Sequence, residues 1–142
     1  MSIDQVKAKV QRILTETFGS VSVDQDGDFF TRFDSAVVYI RPFEKSDEVT
    51  LVRTWSIMLR DVPLTPEVYR WVATEGQAFF FGRAQLFEEE GGKGSIHFSH
   101  NLLGDFLDPE ELQWAVIALG NSANELDDQL QSRFGGRKFL DS

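Results

Sequence analysis

Cysteine is absent from the 142 residues, so neither a disulfide nor a thiolate metal site can form. Histidine is almost as scarce: His97 and His100 are the only two. No apolar run reaches the roughly 18 residues that a membrane-crossing helix needs. The opening stretch, MSIDQVKAKV, has no apolar core of the kind a secretory leader carries; its apolar residues fall at helical spacing instead. A cytoplasmic protein is the expectation, with no membrane contact. Basic residues are outnumbered, 14 Lys and Arg against 23 Asp and Glu, for a formal charge of −9. A chain this acidic repels phosphate backbones and shows no basic stripe to offset the repulsion, so no nucleic-acid partner is expected. The surplus negative charge reads either as solubility or as attraction for a basic partner segment.

Catalytic and metal-binding patterns are missing as well. No G-x-S-x-G turn holds a serine nucleophile. Ser95, Ser99, His97, His100 and Asp105 make a Ser/His/acid set only by free choice among residues that any protein offers. Two histidines three apart on a regular strand fall on opposite faces, and no third ligand stands out, so no metal is expected there. The loop 88–94, EEEGGKG, lacks the spacing of a phosphate-binding loop, and no helix follows it. Asp24, Asp26 and Asp28 begin like a calcium loop, but no glutamate stands at its last position, and Asp26-Gly27-Asp28 reads as a turn. The expectation is a non-enzymatic chain with no cofactor.

What the chain has in quantity is phenylalanine. Thirteen Phe, three Trp and two Tyr make it 13% aromatic. Aromatic side chains beyond what one small core can hold mark an interface.

Residues 49–60, VTLVRTWSIMLR, alternate with period two and are rich in β-branched residues, which predicts a strand. One row holds Val49, Leu51, Arg53, Trp55, Ile57 and Leu59, apolar except for Arg53, and this row is expected to face the core. The other row is mixed, with Val52 and Met58 leaving it partly apolar. Residues 29–33 and 36–43 read as a strand pair turning at Asp34-Ser35, and Pro42 marks an edge or a strand end. Residues 79–88 and 95–100 read as a second pair. Helices are expected over residues 2–18, with Gly19 as the stop; from Thr65 and Pro66 to Gly76; and from Asp108 and Pro109 to Gly135-Gly136. In the last of these Leu112, Ala115, Val116, Leu119, Ala123, Leu126, Leu130 and Phe134 form one apolar stripe. Gly120, in mid-helix, signals either a close backbone approach or a break. The order is α-β-β-β-α-β-β-α, an α+β fold built on an antiparallel β-sheet, in a single domain spanning 1–142.

Several strands are apolar on both sides. Either the three helices cover both faces, or one face or edge is buried by a second subunit or a ligand chain. On the second reading, Tyr39, Phe43, Val52, Met58 and Phe80 form the apolar contact surface for an extended peptide. Arg41 or Arg83 supplies the polar anchor. Arg41, Arg53 and Arg83 lie within strands, and each is either a structural ion pair, a guanidinium reaching out to a sheet edge, or a planar fork that grips a partner's carboxylate or backbone.

The segments IHFSHNLLGDFLDPEELQWAV and ALGNSANELDDQLQSRFGG, with RDVPLTPEVYRWV at the entry to the middle helix, resemble the YbjN family in its actinobacterial form. The element order over 3–136 is similar to that family and to the class I type III secretion chaperones, which share its fold. The resemblance implies a small non-enzymatic domain, often dimeric, that binds extended segments of a client protein. It also implies an alternative, a regulatory domain of the sensory-transduction type that responds to a small molecule. No catalytic residue carries over. The chain departs from the pattern at Ala73-Thr74-Glu75-Gly76-Gln77, where the family has Asn-rich residues.

Overall fold

The computed structural model describes residues 1–141. Helix α1 (Ile3–Phe18) opens on a reciprocal cap: the Gln5 amide donates to Ser2 Oγ at 3.2 Å, and the Ser2 amide donates to Gln5 Oε1 at 2.9 Å. It closes at Gly19, whose φ of 81° suits a residue without a Cβ. Strands β1 (Ser22–Val23), β2 (Phe29–Phe33), β3 (Ala36–Ser46) and β4 (Val49–Pro63) follow as an antiparallel meander. Helix α2 (Pro66–Ala73) starts with proline in its first turn and with Thr65 Oγ1 accepting from the Val68 amide. Strands β5 (Arg83–Glu89) and β6 (Lys93–Leu103) form a hairpin. Helix α3 (Pro109–Phe134) is capped by Asp108, and β7 (Arg137–Lys138) ends the set.

The sheet runs β1-β2-β3-β4-β6-β5, with β7 attached to β4 at Leu59 and Arg60. The predicted order of helices and strands is the observed one. The two-residue strands β1 and β7 are additions, too short to carry a periodic signal. The second predicted hairpin strand starts at Arg83 rather than at 79. Phe79 instead turns inward, its ring edge-on to Phe98 at 4.7 Å, while Phe80 is fully exposed.

One face of the sheet carries the helices. Val38, Ile40, Val52, Met58, Ile96 and Phe98 on the strands join Val6, Val10, Leu14, Leu112, Val116 and Leu119 on α1 and α3 in one core. This reverses the expectation for β4. The row packed under the helices is Val52, Thr54, Ser56 and Met58, all 4% exposed or less, and the Trp55 row faces the other way as far as Ile57; the register shifts between Ile57 and Leu59, and Leu59 is buried in the core. The reason is space. A helix packs closest where side chains are small, and Thr54 and Ser56 at the middle of the strand provide that room. Thr54 satisfies its hydroxyl by donating to the His100 carbonyl at 2.6 Å.

Gly120 makes a close approach and no break. A Cβ there would lie 2.4 Å from the Phe33 ring, and the helix runs unbroken through it. Beside it, Ser35 at the β2–β3 turn is fixed to α3: its amide donates to Asn124 Oδ1 at 3.0 Å, and its hydroxyl lies 2.5 Å from Asp127 Oδ2.

Candidate functional site

The face turned away from the helices is built by strand alternation. Register pairs set Phe30 opposite Tyr39, Tyr39 opposite Trp55, Arg41 opposite Arg53, Phe43 opposite Leu51, Leu51 opposite Leu103 and Ile57 opposite His97. Directly opposed residues in an antiparallel pair share a face, so these side chains form a continuous aromatic and arginine surface. Tyr39 stacks on Trp55 with centroids 5.3 Å apart, and Phe30 lies 6.0 Å from Tyr39. The guanidinium carbons of Arg53 and Arg41 sit 4.8 and 5.2 Å from the Trp55 centroid. These neighbours leave Trp55 only 8% exposed, with no α-helix above it among the described residues.

The C-terminal tail reaches this face at one end. After Gly135 and Gly136, both at positive φ, β7 pairs with β4, and Phe139 sits edge-on to Tyr39 at 6.1 Å beneath the Arg60 guanidinium. Arg137 pairs with Asp61, and Lys138 Nζ lies 2.7 Å from Asp128.

Charges on the face are unevenly committed. Arg41 donates to both oxygens of the buried Asp28, at 2.6 and 2.7 Å, and this hydrogen bonding raises its pKa. Arg53 has no carboxylate partner among the described residues. Burial and then the neighbouring Arg41 lower its pKa. His97, against the Phe87 ring at 4.4 Å, is pushed down to about 4 by burial and then by Arg53 and Arg60. Tyr39 is raised, first by burial and then by Asp24.

Of the seven residues singled out from sequence, Tyr39, Arg41 and Phe43 meet on the open face. Val52 and Met58 do not: at 0% and 1% exposure they lie in the core, because β4 turns its even-numbered residues from Val52 to Met58 to the helices. Arg83 shares the open face as well, since it lies opposite Ser99 and Ser99 lies opposite Trp55; with Phe80 it lines a cleft of about 410 Å³ bordered also by Gln77, Ser99, His100 and Asn101. His100 Nδ1 accepts the Gly82 amide at 3.1 Å, and burial followed by Arg83 lowers its pKa. Sequence reasoning passed over Trp55, Leu51, Leu103 and Phe139 as surface residues. The signal was the Tyr39-Arg41-Phe43 alternation: the residues opposite it had to share its face.

A second apolar groove, of about 470 Å³, runs between α2 and β5, lined by Tyr69, Val72, Ala84, Leu86 and Phe87. Strand β5 ends the sheet, so one of its edges has no strand neighbour. The aspartates at the β1–β2 turn converge within 4.8 Å. Their oxygens already hold the turn together: Asp24 Oδ1 accepts the amides of Asp26 and Asp28, each at 2.9 Å, and Asp28 is held by Arg41. No helix is long and apolar enough to cross a membrane among the described residues.

The family model described as T3SS (YopN, CesT) and YbjN peptide-binding chaperone 1 matches residues 4–142. Three solved structures share the fold. A chain of the ExsC–ExsE complex is 22% identical, with 87% of this chain and 94% of that chain covered and a TM-score of 0.57. The Yersinia pestis type III secretion chaperone SycH, solved with a stable fragment of YscM2, is 11% identical over 82% of this chain and 98% of that one, with a TM-score of 0.53. YbjN from E. coli is 12% identical over 89% and 91%, with a TM-score of 0.58. No curated protein sequence matches the chain.

Proposed function

Because the chain belongs to the family of type III secretion and YbjN peptide-binding chaperones, we propose that it binds an extended segment of a client protein, as a non-enzymatic chaperone or adaptor in the cytoplasm. The observation that carries this reading is the open aromatic face, an apolar surface with no α-helix over it among the described residues and only the single 3-10 turn Phe139–Asp141 at its Tyr39 end. Tyr39, Arg41, Phe43, Leu51 and Leu103 form its contact surface. The unpaired edge of β5, with the groove beside α2, offers a second strip where main-chain pairing can add a strand. Phe80 and Arg83 stand at the cleft between these two regions.

A photo-crosslinking side chain introduced at Phe43 or Leu103, expressed in the native cell, is expected to give client adducts. The same group at Lys7, on the solvent side of α1, is expected to give none. Equal adducts from both positions, or none from either open-face position, would remove the face from the proposal.

We further propose a homodimer. Light scattering is expected to return twice the 16.2 kDa chain mass, and a monomer at every concentration would end that part of the reading. The rival function, a regulatory domain responding to a small molecule, has the polar cleft at Gln77, Arg83, Ser99 and Asn101 in its favour. It requires a ligand-induced rise in melting temperature that disappears on substituting Arg83.

A further inference from the structure

We propose that the segment held on the open face is acidic, and that one of its carboxylates seats on the Arg53 guanidinium above Trp55. This rests on the client-binding reading and specifies the chemistry of the client.

The protein as a whole carries −9, yet its charge is partitioned. Segments 29–33, 36–43, 49–60 and 93–103, which make the middle of the open face, contain no Asp or Glu and hold Arg32, Arg41, Arg53 and Arg60, while acids stand at its margins: Glu44 and Asp61 at strand ends, Glu88 and Glu89 on β5, and Asp28, which bonds Arg41 and also acts through space on Arg53. Arg41 has spent its fork on Asp28 in a two-bond pairing. Arg53 lies directly across the strands from Arg41, half-buried against Trp55, with none of its guanidinium donors bonded to a carboxylate among the described residues. A half-buried cation beside a like charge gains most from an anion that arrives with the ligand. The planar fork matches a carboxylate, and Leu51, Phe43 and Leu103 beside it suit apolar residues on either side.

Other occupants fit less well. Two copies docked face to face would set arginine against arginine, a like-charge cost that a symmetric interface repeats. A single-stranded nucleic acid needs open ring faces for its bases. Trp55, the largest ring, is covered by Tyr39 and the two guanidinium groups and is only 8% exposed.

The test is selection of random twelve-residue peptides displayed on phage, run in parallel on the purified full chain and on its R53Q and R53K variants, each checked for native circular dichroism. Peptides chosen by the wild type are expected to share one Asp or Glu flanked by apolar residues. A synthetic copy should bind about tenfold or more weaker when that acid becomes its amide, or when the protein carries R53Q. R53K should fall between. Selected peptides that are neutral or basic, or an acid preference that R53Q leaves intact, would overturn the inference while client binding survived. No selected peptide at all would overturn both, and oligonucleotide binding abolished by R53Q in that case would assign the face to a different ligand. Should R53Q lose its native spectrum, R53K together with the acid-to-amide peptide pair decides the matter.

Discussion

The two faces of one sheet bury their side chains by different means. On the helix side, Val52 and Met58 reach 0% and 1% exposure under α1 and α3. On the other side Trp55, three residues from each in sequence, reaches 8% with no α-helix above it among the described residues, covered by Tyr39 and by two arginines. The first kind of burial is closed packing, where any added charge must displace the core. The second is a cover of long side chains, in which Arg41 is pinned to Asp28 while Arg53 has no carboxylate bond among the described residues. Low exposure therefore means something different on each side of β4.

The largest effect should come from placing a charge on the helix side. Val52→Asp with Met58→Asp buries two unpaired carboxylates. It is expected to cost more than about 4 kcal/mol, enough to unfold a domain of ordinary stability. Circular dichroism during urea titration reads this directly; a native spectrum with an unchanged midpoint would mean that the two faces had been confused.

A smaller effect belongs to His97 on the open face. Its imidazole takes up a proton only below about pH 4 in the folded chain but already below about 6.5 when unfolded. The unfolded state therefore binds more protons between these values. The stabilisation is complete above about pH 6.5 and is lost as the pH falls toward 4, with an upper bound of roughly 3 kcal/mol. Comparing denaturation at pH 7 and 4.5 for wild type and His97→Gln isolates this contribution, which should vanish in the variant. An identical acid loss in both would show that carboxylates alone cause it.

The smallest effect should come from Leu103→Ser, at the rim of the same face. Leu103 is 57% exposed, so the change is expected to stay within about 0.5 kcal/mol. A melting temperature several degrees lower would indicate that something already covers this rim in solution.

The pattern of these sites explains what could be read from the chain. Helices and long strands were legible because caps such as Ser2, Thr65 and Asp108 and repeated spacing act locally. The facing of β4 was not, because counting apolar residues favours the Trp55 row, whereas the helix required the space above Thr54 and Ser56. The run Phe79-Phe80-Phe81 looked like a strand because periodicity registers greasiness, and nothing in it foretold that Phe79 would cross to meet Phe98. Tyr39, Arg41 and Phe43 were found together because one strand carries them all. Trp55 and Arg53 join them only through pairing between strands, which the linear chain does not spell out. Val52 and Met58 were misplaced by the same inversion that misplaced Trp55.

Strand β7 has a consequence for the timing of events on the open face. It joins β4 across more than half the chain length and by only two residues, Arg137 and Lys138. Contacts so distant in sequence close late in folding, and ones so few reopen at low cost. Amide exchange at 137–141 should accordingly run far ahead of the central strands. In the interval when Phe139 is lifted, the side of the Tyr39 ring that Phe139 covered opens to solvent, while Trp55 and Phe30 keep their contacts with it.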